Sequence, residues 1–313
     1  MKVAVLKGGR SLEREVSLRS GANAASALRR TGHEVLEVDA DRHLVRTLRG
    51  ERPEAAFIAL HGKGGEDGTV QELLEILEIP YTGPGVLACE RAWDKVVAKA
   101  HFATAGVSTP PAYAFSQDAF RELGAGDAIP EIRERLGLPL VVKPAKQGSA
   151  LGISVAREAA DVPAALMSAL AFDDRVLIER FVAGRELAVS VIGTAEPWAL
   201  PVVEAIPGRD SDFYDFEARY TPGLTDFEAP ARLSDSVAEE AARVSLECYR
   251  VLGCRGVSRV DLILDADERL WVLEVNAIPG LTDTSLLPKA AEAAGLSFDE
   301  VVERILAEAA LGA

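Results

Sequence analysis

Two acids and an amide, Asp261, Glu274 and Asn276, stand at spacings that a β-hairpin would bring together. In GVSRVDLILDADERLWVLEVNAIPG, residues 256–280, Val260, Leu262 and Leu264 alternate along the first half. Trp271, Leu273 and Val275 alternate along the second, and DADER (265–269) is the turn. A period of two sends those six residues to one apolar face and Arg259, Asp261, Glu274 and Asn276 to the other. A turn centred on Asp267 sets Asp261 across from Glu274, where like charges repel. One remedy is a solvated face on which Arg259 neutralises its acidic neighbours. The other is a hard divalent cation: carboxylate and amide oxygens suit magnesium, which completes its shell with water and phosphate oxygens. Asn276 on the same face, and IPG stopping the strand just beyond, favour the metal.

Other stretches bear on the same chemistry. VVKPAKQGSALG ends a strand on Lys143 and then supplies Gly148, Ser149 and Gly152, small residues that let backbone N–H groups approach phosphate. It lacks the G-x-x-x-x-G-K-[ST] pattern and returns to a strand, so by itself it is either a glycine hairpin or a phosphate loop. HGKGGEDG (61–68) fits no nucleotide fingerprint, and His61 there reads equally as a loop residue or a substrate contact. GGRSLEREVS places Glu13 and Ser17 at the mouth of the first strand-to-helix crossover, the edge where open α/β sheets bind ligands. Acids favouring a helix dipole are the plainer account of that stretch. The excursion DSDFYDFEARYTPGLTDF (210–227) holds Phe213, Tyr214, Phe216, Tyr220 and Phe227. Its aromatics either cover a core edge or form a lid over substrate, and its length favours the lid.

These stretches need a scaffold, and the pattern specifies one. KVAVL (2–6), a helix from about Glu13 to Arg30, HEVLEVD (33–39), a charged helix and AAFIAL (55–60) follow in β-α-β-α-β order. That order implies a parallel, doubly wound sheet. After it come the helix GTVQELLEIL, a short strand IPYTG and a helix around Asp94 to Thr104. A second unit contains strands within 138–156, a helix at 161–171 and RVLIERFV (175–182). A third holds RELAVSVIG, a strand around 198–204, the helix SVAEEAARVSLECYRVLG, the hairpin and a terminal helix, FDEVVERILAEAAL. The expected domains are 1–98, 99–182 and 183–313. The chain has 313 residues, 48% of them hydrophobic and 27% charged, ample for several cores. Its net charge of −15 argues against nucleic acid or an anionic membrane as partner. No signal peptide or bilayer-length apolar run is apparent, and Cys89, Cys248 and Cys254 read as reduced thiols in a cytoplasmic protein.

The ordered set REVSLRSG, FIALHGKGGEDG, YTGPG, Asp94–Lys95, VVKP, LIERF, FYDFEARY, RVDLILD and LEVNAIPGLTDTSLLP resembles the D-alanine–D-alanine ligases of the ATP-grasp superfamily, from about residue 3 to the last helix. The resemblance implies three α/β domains, ATP held between the second and third, and two magnesium ions (manganese as a substitute) on Asp261, Glu274 and Asn276. It matches Lys95 and Lys143 to phosphate contacts, Glu179, Phe181 and Val182 to the segment beside adenine, and Glu186 to ribose. Glu13 corresponds to the acid near the first D-alanine's amino group, with Val16 and His61 beside that substrate. Glu13, Ser149 and Tyr220 correspond to a hydrogen-bonded set closing the lid. Arg259 and the Gly280 N–H correspond to oxyanion contacts, and Ser285 and Leu286 receive the second carboxylate, with Arg219 nearby. A homodimer and a role in peptidoglycan precursor synthesis are implied as well.

The chain departs from the family pattern in three places: Arg219 stands where lysine is usual, Ala150 where a second serine is common, and LTDT where M-T-x-x is more frequent. None removes an ion ligand, so an active enzyme is expected. The competing readings are a D-alanyl-D-lactate ligase, disfavoured by Tyr220 where such enzymes carry phenylalanine, another acid–amine ligase of the same fold, and an inactive nucleotide-binding module.

Overall fold

The computed structural model describes residues 1–208 and 225–312. Strands β1 (Lys2–Lys7), β2 (Glu34–Asp39) and β3 (Ala55–Ile58) pair in parallel in the order β2-β1-β3. The helix Arg14–Arg30 provides the first crossover, so the expected parallel sheet forms. IPYTG does not become a strand. It contributes single bridges at Tyr81, parallel to Ala56 and antiparallel to Ala310. Pro80 lies within it and Pro84 follows it, and neither has an N–H to extend a ladder.

The helix expected from about Asp94 to Thr104 forms as Lys95–Thr104, and a further helix, Val86–Trp93, which the sequence reading did not anticipate, precedes it. Asp94 separates them as an N-cap, its carboxylate accepting from the Val96 and Val97 N–H groups at 2.9 and 3.2 Å. That cap places Lys95 at the first position of the second helix. A central antiparallel sheet follows, β4 (Ala112–Ser116), β5 (Leu140–Pro144), β6 (Ser154–Ala156) and β7 (Arg175–Arg180), ordered β4-β7-β5-β6. The third sheet contains β8 (Arg185–Ile192), β9 (Trp198–Ala199), β10 (Val203–Pro207), β11 (Thr225–Glu228), β12 (Val257–Leu264) and β13 (Leu270–Asn276). Its path is β11-β10-β8-β12-β13, with β9 on β8. Phe227, in β11, packs against a buried apolar cluster under Lys289, so for this aromatic the core-edge reading is the right one. Phe213, Tyr214, Phe216, Arg219 and Tyr220 lie outside the described residues.

The β12–β13 hairpin turns as expected but pairs differently. Leu264 faces Leu270, centring the turn on Asp267, and an unbroken ladder from there would set Leu273 opposite Asp261. A bulge intervenes: Leu262 faces Val272, Asp261 faces Glu274, and Leu273 has no partner between them. The extra residue shifts the strand's phase. Leu270, Val272 and Val275 therefore enter the core, whereas Trp271 and Leu273, expected on the apolar face, turn to the other side with Glu274 and Asn276. The facing of Asp261 and Glu274 thus depends on the bulge.

The buried clusters show which parts are welded. Side chains of β1 and β3 share clusters with β8, β12, β13 and the helices Leu286–Ala293 and Phe298–Ala307. Ala98, Phe102 and Val107 join the same mass. The central sheet has its own cluster, including Ile132, Leu140, Val142, Val176 and Ile178. No helix among the described residues is long and apolar enough to cross a membrane.

Candidate active site

The inner cavity lies where the three sheets meet. Glu13, Val16 and His61 line it from the first unit, Gly148 and Ser149 from the central one, and Arg259, Glu274, Asn276, Gly280, Ser285 and Leu286 from the third. Glu13 sits at the N-cap of its helix yet makes no capping bond. Its side chain turns inward to accept a hydrogen bond from the Ser149 hydroxyl, leaving Oε2 buried with no hydrogen-bond partner among the described residues. Two glycines make room for it: a Cβ on Gly62, whose φ is +72°, would lie 2.1 Å from Oε2, and one on Gly148 would lie 3.1 Å from both oxygens. Burial, reinforced by the nearby charge of Glu66, pushes the Glu13 carboxyl up to about 7, against the opposing pull of Ser149, His61 and Lys95. Ser17, the other polar residue expected at this mouth, is a strut: its hydroxyl accepts from Gly8 N–H and donates to the Ala59 carbonyl.

Around the 148–152 loop the backbone is held in an uncommon form. Ser149 and Ala150 both have left-handed φ values, 53° and 57°. For residues with a Cβ this costs roughly 1–2 kcal/mol each, and such positions cluster at functional sites. Lys95 buttresses the loop, donating to the Gln147 carbonyl at 2.6 Å, and its ammonium lies 3.0 Å from Glu274.

The acidic pair of the hairpin is relieved by cations from two sides. The Arg259 guanidinium grips Asp261 at 2.6 and 2.8 Å, and Lys95 meets Glu274. Arg259 therefore does neutralise its neighbour, as the plainer sequence reading held. Asn276 has no such relief: its Oδ1 is buried and lacks a hydrogen-bond partner among the described residues. Among the described residues no group of three or more His, Cys, Asp and Glu side chains could hold a metal. The set here is two acids and an amide. An orphaned amide oxygen beside two carboxylates fits a hard divalent cation.

A second cavity, of about 340 Å³, opens between the central and third sheets. Val141, Val155, Phe181, Val182, Ile263 and Leu273 give it apolar walls, and Lys143, Glu179 and Glu186 add charge. Ligand pockets commonly have such walls with few polar groups, and this one is at the lower end of their size range. Glu179 lies between two ammonium groups, Lys143 at 2.5 Å and Lys99 at 3.0 Å. Burial pushes its carboxyl up, but the two lysines overcome this and hold it below the ordinary glutamate range. Lys99 also donates to Thr109 Oγ1 at 2.6 Å and the Pro110 carbonyl at 2.9 Å.

A family model for the D-ala D-ala ligase C-terminus matches residues 102–307, and one for the N-terminus matches residues 43–84. The chain belongs to this family. Ligases of the same description from Desulforudis audaxviator and Carboxydothermus hydrogenoformans are 47% and 44% identical to it, each alignment covering 97% or more of both chains. Among solved structures, a D-alanine–D-alanine ligase from Bacillus anthracis is similar at a TM-score of 0.83 and 31% identity, covering 98% of this chain and 97% of that one. The same Bacillus enzyme complexed with ATP gives 0.82 and 30%, with equal coverage. A D-Ala:D-Ser ligase from Enterococcus faecalis gives 0.83 and 27%, covering 98% of each chain.

Of the site residues expected from this ligase family, the structure gathers Glu13, Val16, His61, Lys95, Ser149, Arg259, Glu274, Asn276, Gly280, Ser285 and Leu286 at the inner cavity, with Asp261 directly behind on Arg259. It puts Lys143, Glu179, Phe181, Val182 and Glu186 at the outer one. His61 faces the inner cavity with its nitrogens engaged elsewhere: Nδ1 lies 3.4 Å from Glu66 and Nε2 3.0 Å from the Ser20 hydroxyl. Sequence reasoning missed Lys99 and Glu66. The signal for Lys99 was its position four residues after Lys95 on an otherwise apolar helix, where both ammonium groups share a face. Glu66 had no signal beyond membership of a glycine-rich loop.

Proposed function

We propose that this ligase-family member joins two D-alanines for peptidoglycan precursor synthesis: ATP + 2 D-alanine → D-alanyl-D-alanine + ADP + phosphate. The observation that carries the reading is the inner cavity, where a carboxylate of the first unit, with one oxygen unpartnered among the described residues, meets a guanidinium and an amide oxygen from neighbouring strands of the third sheet. Glu13 Oε2 supplies an acceptor for the ammonium of the first D-alanine. ATP occupies the outer cavity, its base between the apolar walls and its phosphates reaching Lys143, Lys95 and the 148–152 loop. γ-Phosphoryl transfer to the first carboxylate creates an acyl phosphate with a good leaving group, a step governed by positioning and charge neutralisation. Asp261, Glu274 and Asn276 would hold divalent ions, magnesium or manganese, which supply charge neutralisation at the phosphates when bound. The amine of the second D-alanine, its carboxylate received near Ser285 and Leu286, attacks the acyl carbon. Arg259 and the Gly280 N–H stabilise the oxyanion that develops.

The domain limits 1–98, 99–182 and 183–313 and a homodimeric assembly complete the proposal. The test is phosphate release and product analysis with D-alanine, L-alanine, D-serine and D-lactate offered singly and in pairs. D-alanine alone is expected to give one dipeptide per phosphate, with D-lactate a poor acceptor near neutral pH. Ester or D-alanyl-D-serine as the main product would overturn the choice of acceptor, and no D-alanine-dependent phosphate would overturn the reaction.

A further inference from the structure

Beneath the inner cavity runs a chain of buried polar groups that the proposed reaction does not use. Glu66, His61 and Ser20 are all buried, and they touch in that order: Glu66 against His61 Nδ1, and His61 Nε2 against Ser20 Oγ. A carboxylate only accepts, so Glu66 calls for the ring proton on Nδ1 and leaves Nε2 to accept from the Ser20 hydroxyl. Ser20 Oγ in turn accepts the Leu281 N–H at 3.1 Å. One turn along the same helix, Asn23 Nδ2 donates to the Leu281 carbonyl at 2.9 Å. The N–H and the carbonyl of Leu281 are thus gripped by a helix of the first unit, about 260 residues away in sequence.

The grip falls next to Gly280. A Cβ there would lie 2.6 Å from Ser285 Oγ, so a larger residue would displace that serine. A glycine also has the least intrinsic restraint on its backbone. An oxyanion donor must be aimed before reaction, because a donor that must reorient loses most of its effect. Burying an acid, an imidazole and a hydroxyl together is costly unless each is hydrogen-bonded. Here the chain of bonds ends on the residue that follows Gly280, and holding it limits how far the glycine's backbone can swing.

We propose that Ser20 and Asn23 are positioning residues that lock the Gly280–Leu281 backbone for the amine-attack step, with Glu66 and His61 orienting the Ser20 hydroxyl. This inference rests on the ligase reading above. In the step it serves, the amine nitrogen bonds to the acyl carbon and gives up a proton, while the carbon–oxygen bond to phosphate breaks and phosphate departs. Loosening Leu281 slows that attack. Formation of the acyl phosphate, and its background breakdown, do not depend on this peptide, so phosphate release and dipeptide synthesis come apart.

The experiment measures phosphate and dipeptide together in wild type, Ser20→Ala and Asn23→Ala, with thermal melts to confirm folding. A tenfold or so lower kcat is expected for each variant, with KM for ATP within about twofold, given the sensitivity of attack to small misplacements. The ratio of phosphate to dipeptide should rise from one to well above one. A ratio that stays at one in both variants, whether kcat falls or holds, overturns the proposal, because loss of structure alone slows both products together. A wild-type enzyme that releases no phosphate with D-alanine fails the ligase reading itself, before any variant is made.

Discussion

Glu13 and Glu179 are the same residue at the same depth, 3% and 2% exposed, yet they titrate in opposite directions. Both lose solvation. Glu179 recovers it from two ammonium groups, Lys143 and Lys99. Among the described residues Glu13 has one hydroxyl, a second acid nearby and no lysine or arginine in contact with its carboxylate. Depth therefore does not decide the charge state; the counter-charges in place do. The outer cavity carries its own balance of charge, whereas the inner one leaves a balance to be completed, on this account by the ammonium of a substrate.

That contrast gives neutral substitutions of opposite sign. Glu179→Gln strands two buried lysines and should cost about 3–5 kcal/mol, read by urea unfolding near neutral pH. In the wild type its stabilisation is present above the unfolded glutamate pKa and is lost as pH falls through the lower folded value. Next in size, Glu274→Gln should lower D-alanine-dependent phosphate release about 10²-fold and weaken manganese binding in the presence of nucleotide. It removes a ligand charge and leaves Lys95 without its carboxylate.

Glu13→Gln should stabilise the protein without ligand. The Glu13 pKa rises from 4.5 to about 7 on folding, so its ionised form opposes folding. The penalty is absent below the unfolded value, grows between the two and is complete above about pH 7. At 1.36 kcal/mol per pKa unit, the gain at pH 8 over pH 4 is about 3 kcal/mol, measurable by paired unfolding curves. Destabilisation at pH 8 would break the comparison. The smallest effect is expected at the bulge: Leu273→Ala trims an apolar wall of the outer cavity and should raise KM for ATP several-fold, about 1 kcal/mol, leaving KM for D-alanine unmoved.

Much of the arrangement was legible in the chain. Short β-branched runs located β1 and β2, period-two runs located β12 and β13, and the β-α-β-α-β order gave the parallel sheet. What alternation could not reveal was the phase change at Leu273, because a bulge leaves no mark in a run of half-buried residues. The helix opening at Asp94 was read correctly, whereas the helix Val86–Trp93 just before it was not anticipated. Contacts such as Ser149 on Glu13, or Ser20 on Leu281, join residues far apart in sequence, and no local pattern encodes them. The ordered motifs named the residues; only the fold showed which charges have partners and which wait for one.

The most direct measurement is the carboxylate titration of Glu13, followed by carbon-13 NMR of selectively labelled protein with and without D-alanine, using Glu13→Gln to assign the signal. A midpoint near 7 in the free protein, falling when D-alanine binds, is the predicted result. A midpoint at the ordinary glutamate value, or one that D-alanine leaves unchanged, would contradict the account.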